Sequence, residues 1–377
     1  MQFGGVICNQ MNTTALISDI TINIFEEWRT SNVNKSGSII GQSVQSQNTI
    51  KTVCFMEYLT SNSYFTYLGL IGYHNGSLSI CNIQQNFMIQ SGNFTNLGTF
   101  GGCIGSECII YNAYISLQVP INNSGINVGV LIAVMFAEKW SVTNITINNS
   151  HIYSKQLSGL VISYINYGIF SQIYIYSSTA NSSVTQNWAI SGGLYGDSKS
   201  YSAPLQITKI HQCYFENNSL FTNNSDIQAT SGGLIGDSHN NQISINNIIL
   251  KFYNLTSYGS AKYSESSGLI AFLYNATVEI NNAQIFHICL FSQNVNLAFA
   301  SGFIAQSNNY TLSINNSKVS NIQINISGTP IRVGILFCDA PSVLTATGLS
   351  SEGTNSINGA TVNNCGNIQT FNAQNGC

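Results

Sequence analysis

The stretch "SGGLIGDSHNNQISINN", residues 231–247, decides the fold because it is one copy of a unit that recurs along the chain. Its first half returns as SGGLYG (191–196), FGGCIG (100–105) and YLGLIG (67–72). Weaker copies share a glycine before an apolar pair, and the aligned glycines are Gly5, Gly37, Gly69, Gly102, Gly129, Gly159, Gly193, Gly233, Gly268, Gly302 and Gly334. Their mean separation is about 33 residues. A fixed period of this size is typical of repeat architectures.

The second half of the unit alternates apolar and polar residues and ends in asparagine. It reads ISINN at 243–247, ITINN at 145–149, VEINN at 278–282 and LSINN at 312–316. Period-two alternation with β-branched residues in the apolar slots predicts a strand with one buried face. The best helical candidate, IFEEWRTS at 24–31, is short.

Each unit therefore holds roughly three short strands, and a unit this small cannot bury its apolar face alone. Stacking of successive units solves this. The sequence predicts an all-β chain, a parallel, right-handed β-helix or solenoid of about eleven coils over residues 1–348. The polar segment 349–377 is predicted to be a coil or cap. A β-propeller is the alternative, but its blades need about 40–45 residues, and most spacings here are shorter.

The composition limits the partners. Of 377 residues only 7% are charged, against about 25% in an average domain. The 11 Lys and Arg are thinly spread, which argues against nucleic acid because phosphate affinity needs clustered cations. The apolar run VGVLIAVMFA at 128–137 is shorter than the ~20 residues of a membrane helix, so no membrane insertion is predicted.

The location is predicted to be extracellular or at the cell surface. The N-terminal MQFGGVICNQ has no visible signal peptide, and the chain is interpreted either as a soluble chain or as a fragment of a longer protein. Abundant Asn-x-Ser/Thr sequons favour export. The glycosylation candidates in polar turns are Asn181, Asn217 and Asn223.

The glycines and asparagines of the repeat are given structural roles. A phosphate loop needs a lysine and a following helix, and neither follows the glycines, which instead are expected to permit close approach of successive coils. The asparagines share the parity of the buried residues and are predicted to form an inward-facing hydrogen-bonded ladder. Its members are Asn82, Asn112, Asn149, Asn247, Asn282 and Asn316.

Catalytic candidates are few. Asp197 and Asp237 follow the same glycine in two copies, and paired carboxylates can divide acid and base roles. Aspartate after glycine is also a common turn residue. The five histidines show no ligand spacing, and the ten cysteines form no CxxC. No metal and no cofactor is therefore predicted, and cysteine pairing is considered only for Cys103 with Cys108 and for Cys365 with Cys377.

The Gly-Gly-Leu-Ile-Gly copies followed by an apolar-x-apolar-x-Asn strand resemble the GLUG-type repeats of bacterial and protist surface proteins. The Asn/Ser-rich composition resembles protist surface families with β-helix repeats. This resemblance implies a non-catalytic, adhesin-like glycoprotein or spacer with glycans or cell-surface proteins as partners. One alternative is a polysaccharide hydrolase or lyase that uses Asp197 and Asp237. Another is a purely structural segment of a longer rod.

Overall fold

The computed structural model describes residues 2–4, 7–11, 14–24, 35–98, 100–117, 121–122, 126–184, 188–199, 207–224, 226–259, 262–294, 297–327, 331–338, 341 and 343–362. Side chains are described mainly from residue 102 onward. The chain divides into two compact units, Met1–Ala180 and Asn181–Cys377. Every regular element in the described ranges is β-structure, with no helix among them.

The strands that begin in the first unit vary widely in length. They are β1 (Gln2–Gly4), β2 (Ile7–Met11), β3 (Thr14–Ile24), β4 (Lys35–Leu97), β5 (Phe100–Leu117), β6 (Ile121–Asn122), β7 (Asn127–Gly129), β8 (Ile132–Asn148), β9 (His151–Ser154), β10 (Leu157–Gly159), β11 (Ile162–Ile165), β12 (Ile169–Tyr176) and β13 (Thr179–Val184). The longest of them continue around corners of the coil as uninterrupted strands.

Most of the strands that begin in the second unit are three to six residues long. They are β14 (Trp188–Gly192), β15 (Tyr195–Lys199), β16 (Ile207–Glu216), β17 (Ser219–Asn224), β18 (Gln228–Gly232), β19 (Ile235–His239), β20 (Gln242–Gly259), β21 (Tyr263–Ser267), β22 (Ile270–Asn294), β23 (Leu297–Ser301), β24 (Ile304–Asn315), β25 (Lys318–Ser320), β26 (Gln323–Ser327), β27 (Ile331–Gly334), β28 (Val343–Thr347), β29 (Ser350–Glu352), β30 (Asn355–Ile357) and β31 (Ala360–Val362).

The strands pair in parallel with the equivalent strand of the next coil. In the second unit β14 pairs with β18, β18 with β21 and β21 with β23. In the first unit β5 pairs with β8, and β8 pairs with β12. Each coil therefore returns the chain to the same side before the next begins. The predicted parallel β-solenoid is confirmed.

The predicted number of eleven coils is not confirmed, because the structure supports about six turns. The copies at Gly5, Gly37 and Gly69 fall in the first hundred residues, where few side chains are described. The division at residue 348 stays a prediction. Beyond it, β29 and β30 still pair in parallel with β25 and β26, while β31 pairs antiparallel with β30.

The core consists of apolar columns that run from coil to coil. Ile245 lies beside Ile280, and Ile280 beside Ile314, with all three side chains completely buried. In the first unit Ile115, Ile147 and Ile175 form a similar column. These are apolar slots of the alternating pattern. Because a parallel register places equivalent residues of successive coils beside each other, β-branched side chains stack on each other along the solenoid.

Corners of the coil are marked by residues in the left-handed backbone region. In the second unit they form three columns in register, which are Gln212, Asn247, Asn282 and Asn316 at the first corner, Asn217, Phe252, His287 and Asn321 at the second, and Asn240, Asn275 and Asn309 at the third. Asparagine adopts this conformation at lower cost than most side chains. The corners therefore account for eight asparagines of the second unit.

Four of the repeated glycines, Gly193, Gly233, Gly268 and Gly302, lie where successive coils approach each other closely. A Cβ on Gly193 would lie 2.0 Å from the carbonyl oxygen of Gly233, and one on Gly233 would lie 2.1 Å from that of Gly268. The expectation that the repeated glycines permit close coil approach is confirmed at these four positions, whereas Gly102 pairs with Val134 and is not in register with Gly129. The column continues through Gly302 to Ile335. The alignment of Gly334 with this column is wrong, because Gly334 pairs with Ser301.

A buried hydroxyl network fills part of the interior of the second unit. Ser231 Oγ lies 2.9 Å from Ser257 Oγ, and Thr222 Oγ1 donates to Ser257 Oγ at 3.1 Å. The carboxylate of Glu265, also completely buried, accepts hydrogen bonds from Gln228 Nε2 at 2.8 Å and from Thr230 Oγ1 at 2.6 Å. Buried polar groups need such partners because each unpaired one costs stability.

Candidate functional site

A surface groove of about 420 Å³ follows the second corner of the coils in the second unit. Its lining has two adjacent columns. The corner residues are Asn217, Phe252, His287 and Asn321, and the row beside them is Ser219, Asn254, Cys289 and Gln323. Four successive coils contribute to each column. At about 4.8 Å per coil, the groove presents one corner side chain and one row side chain at each step.

Two aromatic rings form the centre of the groove. The Phe252 and His287 ring centroids are 4.9 Å apart and their planes differ by 13°. Phe252 is 48% exposed, although phenylalanine is usually buried. Both residues have positive φ, at 52° and 53°. A bulky residue in this region is an outlier, and such strain clusters at functional sites.

The row beside the rings is polar and uncharged. Ser219 pairs with Asn254, Asn254 with Cys289 and Cys289 with Gln323 through the parallel registers. Cys289 Sγ donates to Gln323 Oε1 at 3.6 Å. Burial raises the pKa of the Cys289 thiol, so it stays protonated at neutral pH. No carboxylate, lysine or arginine belongs to the described lining.

Sequence reasoning missed this groove, although the sequence carries a signal for it. Each residue at the second corner comes five positions after a residue at the first corner, as Phe252 does after Asn247 and His287 after Asn282. Two coils place asparagine at the second corner and two place a ring there. A ring at a position that otherwise holds asparagine was the available clue.

The predicted asparagine ladder is found in part, but on the surface. Asn282 Nδ2 donates to Asn247 Oδ1 at 3.1 Å, and both side chains are exposed. The inward orientation inferred from parity is wrong, because period-two alternation holds only while the backbone is extended, and both residues have φ of 56°. Asn316 is an exposed member of the same column.

In the first unit one predicted ladder member is misplaced. Asn112 accepts from Asn144 Nδ2 at 2.7 Å, since the register pairs Tyr111 with Thr143. Asn149 instead lies at a different corner, where its backbone N–H donates to the Tyr176 carbonyl oxygen at 3.0 Å. The side chain of Asn82 lies outside the described part of the chain, and its backbone runs beside that of Asn112.

Asp197 and Asp237 are direct partners in the register of β15 and β19. Each is only 2% exposed. His239, two residues after Asp237, places Nε2 2.9 Å from Asp237 Oδ1. Potential ligand atoms of Asp197, Asp237 and His239 all lie within 4.8 Å of one another. The sequence signal for the histidine was its i, i+2 position, which puts two strand residues on one face.

This geometry does not favour polysaccharide cleavage at the aspartate pair. Glycoside hydrolysis needs two carboxyl groups that flank an accessible bond, with space for water or a covalent intermediate. Two side chains that are 98% buried leave no such access. The hypothesis of Asp197 and Asp237 as acid and base required an open groove around them, and the groove of the second unit contains neither residue.

The three glycosylation candidates lie at different exposures. Asn217 is exposed at the upper end of the groove corner, while Asn181 and Asn223 are half-buried. The hydroxyl residue of the Asn223 sequon, at position 225, lies outside the described residues. Modification of these sites stays a prediction, and Asn217 is the most accessible of the three side chains.

The disulfide expectations have two outcomes. Cys103 and Cys108 are both buried and both free. Burial and the neighbouring Cys108 raise the pKa of the Cys103 thiol well above its ordinary value. Cys365 and Cys377 lie outside the described residues.

In the described ranges there is also no helix long and apolar enough to cross a membrane.

In comparisons with known proteins, no family model, curated protein or solved structure matches this chain. The resemblance to GLUG-type repeats and to protist adhesins is accordingly not supported. What stands is the coarser statement that the chain is a β-helix repeat protein.

Proposed function

We propose that this chain is a non-catalytic β-solenoid that binds neutral glycans through the groove at the second corner. The single observation that carries the proposal is the exposed, stacked pair Phe252 and His287 within a column of amides. A solvent-exposed ring pair that a strained backbone holds in place has no evident role in core packing. It is a preformed platform for a ligand.

The lining suits a sugar chemically. Aromatic faces accept the C–H faces of a pyranose ring, with the energy of a typical aromatic contact. Amide groups of Asn217, Asn254 and Asn321 both donate and accept, as sugar hydroxyls do. The coil spacing of about 4.8 Å is close to the length of one pyranose in an extended oligosaccharide. An apolar platform with a few fixed polar groups is the usual form of a small-ligand site.

The described lining contains no carboxylate, lysine or arginine, and this selects the class of ligand. Single-stranded nucleic acid also stacks on aromatic rings, but it needs a positively charged groove for its phosphates. Acidic polysaccharides need cations for the same reason. The groove therefore favours an uncharged oligosaccharide.

The finer parts of the proposal are the location and the biological role. An extracellular or cell-surface site, with an adhesin-like or spacer role, follows from the uncharged surface and the sequons. Glycosylation and glycan binding are exclusive at one position, because a glycan on Asn217 would occupy the groove. The proposal thus requires Asn217 to be unmodified in the binding form.

The test is calorimetric titration of the chain, produced without glycosylation, with chitohexaose, cellohexaose and mannohexaose. At least one is expected to bind. Phe252→Asn keeps a residue suited to the corner and removes the ring, and we expect it to weaken binding about tenfold, or about 1.4 kcal/mol. Tyr258→Asn removes an equally exposed ring that lies outside the groove and should leave the affinity unchanged.

Two results would contradict the proposal. One is no binding of any of the three oligosaccharides to the unmodified chain. The other is equal loss of affinity in the Phe252 and Tyr258 variants, which would show that the rings contribute only non-specifically.

An enzyme that uses Asp197 and Asp237 is the alternative function. It rests on the pairing of the two carboxylates and is opposed by their burial. Incubation of the same oligosaccharides with the chain tests it, and we expect no shorter products. Cleavage that disappears in Asp197→Asn would favour the enzyme over the binding protein. A purely structural spacer would bind and cleave none of them.

A further inference from the structure

The Asp197, Asp237 and His239 side chains form a cluster whose charge needs an explanation. Asp197 and Asp237 lie side by side on neighbouring coils and both are 2% exposed. Two carboxylates so close together in a medium of low dielectric repel each other strongly unless a cation or a proton lies between them.

The next coil faces the cluster with aromatic residues. On the next coil the residues in register with Asp237 and His239 are Phe272 and Tyr274. Their rings lie 5.4 Å and 5.8 Å from the His239 ring. The register also places the backbone of Lys199 beside that of His239.

Tyr195 is the other titratable group beside the carboxylates. Burial raises its pKa above the ordinary value; the hydroxyls of Ser198 and Ser238 act in the opposite direction, and the two aspartates raise it further. Its side chain is completely buried beside the two carboxylates.

One oxygen in the cluster lacks a hydrogen bond. Asp237 Oδ1 is fully shielded from solvent and receives no well-aligned hydrogen bond, its short contact to His239 Nε2 being a charge contact within the cluster. A buried carboxylate oxygen normally has hydrogen-bond partners. An oxygen in this state, facing a second carboxylate and an imidazole nitrogen, has the surroundings of a metal ligand.

We propose that Asp197, Asp237 and His239 bind a divalent cation that joins two successive coils. Two carboxylates and one imidazole are a suitable set for Mn²⁺ or Zn²⁺. Potential ligand atoms within 4.8 Å of one another need only small rotations to reach one ion at about 2.0–2.2 Å. His239 is 24% exposed and provides the path of entry. The cation would stabilise the fold, and the site shares no residue with the groove.

The test uses Mn²⁺ as the probe, because the ten cysteines would bind Zn²⁺ elsewhere and thiols bind Mn²⁺ poorly. The chain is treated with a chelator, dialysed and titrated with MnCl₂, with calorimetry and electron paramagnetic resonance as readouts. One saturable site is expected. Asp237→Asn should weaken binding by more than about tenfold, and His239→Gln should do the same. Asp226→Asn, a change at an exposed acid outside the cluster, should leave binding unchanged.

A second readout separates a metal site from a pair that protein groups compensate. Without metal, Asp237→Asn removes the repulsion, and its melting temperature should equal or exceed that of the wild type. With Mn²⁺ the order should reverse, because only the wild type gains from ligand binding to the native state. Absence of Mn²⁺ binding, undiminished binding by Asp237→Asn, or a metal-free variant that melts below the metal-free wild type would each overturn the proposal.

Discussion

Phe252 and His287 hold their rings 4.9 Å apart and nearly parallel while both backbones have φ slightly above 50°. The same corner on neighbouring coils holds Asn217 and Asn321, residues that tolerate this conformation. The two rings therefore occupy positions where the backbone alone would favour asparagine. Asparagine would serve the stability of this corner, and the two rings instead serve the proposed binding platform.

The first prediction concerns the stability of the corner at Phe252. Phe252→Asn should change the free energy of unfolding by less than about 1 kcal/mol, because relief of the left-handed strain offsets the lost ring contact. Phe252→Ala loses the ring without the tolerance of asparagine, and it should be less stable than Phe252→Asn by about 1 kcal/mol. Urea denaturation of the three proteins measures the order. An alanine variant as stable as the asparagine variant would show that the strain is absent.

The close approach of the glycine column gives a second prediction. Gly233→Ala would place its Cβ 2.1 Å from the Gly268 carbonyl oxygen, so two coils must move apart. We expect the free energy of unfolding to fall by about 1–3 kcal/mol, as it does in overpacked cores. Gly359→Asn is the matched control, since nothing lies within 4 Å of that position and its φ of 79° suits asparagine. Thermal unfolding that is equal for both variants would contradict the role of the column.

The buried carboxylate of Glu265 gives a third prediction. Glu265→Ala leaves Gln228 Nε2 and Thr230 Oγ1 without their acceptor and should cost at least about 2–3 kcal/mol. Glu265→Gln preserves the volume and one acceptor oxygen, and it should cost less. Glu279→Ala, at an exposed acid, should be neutral within about 0.5 kcal/mol. Chemical denaturation gives the three values, and an equal effect of Glu265→Ala and Glu279→Ala would refute the structural importance of this network.

The surface ladder at the third corner gives a fourth prediction. Asn275 donates to Asn240 Oδ1 and accepts from Asn309 Nδ2, both at 2.9 Å, with φ of 49°. Asn275→Ala loses both bonds and the left-handed preference, so it should cost about 1–2 kcal/mol. Asn275→Gly loses only the bonds and should be the more stable of the two. The reverse order in thermal melts would show that the backbone conformation does not limit this corner.

A fifth prediction concerns pH. Burial lowers the pKa of His151, whose Nδ1 lies 2.9 Å from Thr179 Oγ1. Below the ordinary value of about 6.5 the unfolded chain binds a proton that the folded chain resists, so stability falls as the pH falls through this range. The drop in melting temperature from pH about 7.5 to about 5 should be smaller in His151→Gln than in the wild type. His211→Gln, a change at a half-buried histidine elsewhere in the chain, serves as the control and should keep the full drop.

Much of the fold could be predicted from the sequence because its causes are local. The alternation in ISINN (243–247) fixes which face of a strand is buried. The glycines of the copies at Gly193, Gly233, Gly268 and Gly302 mark points where a Cβ cannot fit. A period near 33 residues requires neighbours to share a core. None of these inferences depends on which coil lies beside which.

The orientation of the ladder could not be predicted in this way. Parity counting assigns Asn247 and Asn282 to the interior, whereas a positive φ at each turns the chain and exposes both amides. The position of the corner depends on the packing of the whole coil. The presence of asparagine in the sequence is by itself compatible with either face of the strand.

The sequence by itself determined a stacked, parallel β-solenoid with an uncharged surface, since periodicity and composition act residue by residue. Only the tertiary structure decided what lies beside what. Asp197 meets Asp237 across a step of 40 residues in their coil, as Ser198 meets Ser238, while Asn282 meets Asn247 across 35. Coil lengths differ because corners and loops differ, so the cluster at His239 and the ring pair at Phe252 and His287 exist only once the chain is wound.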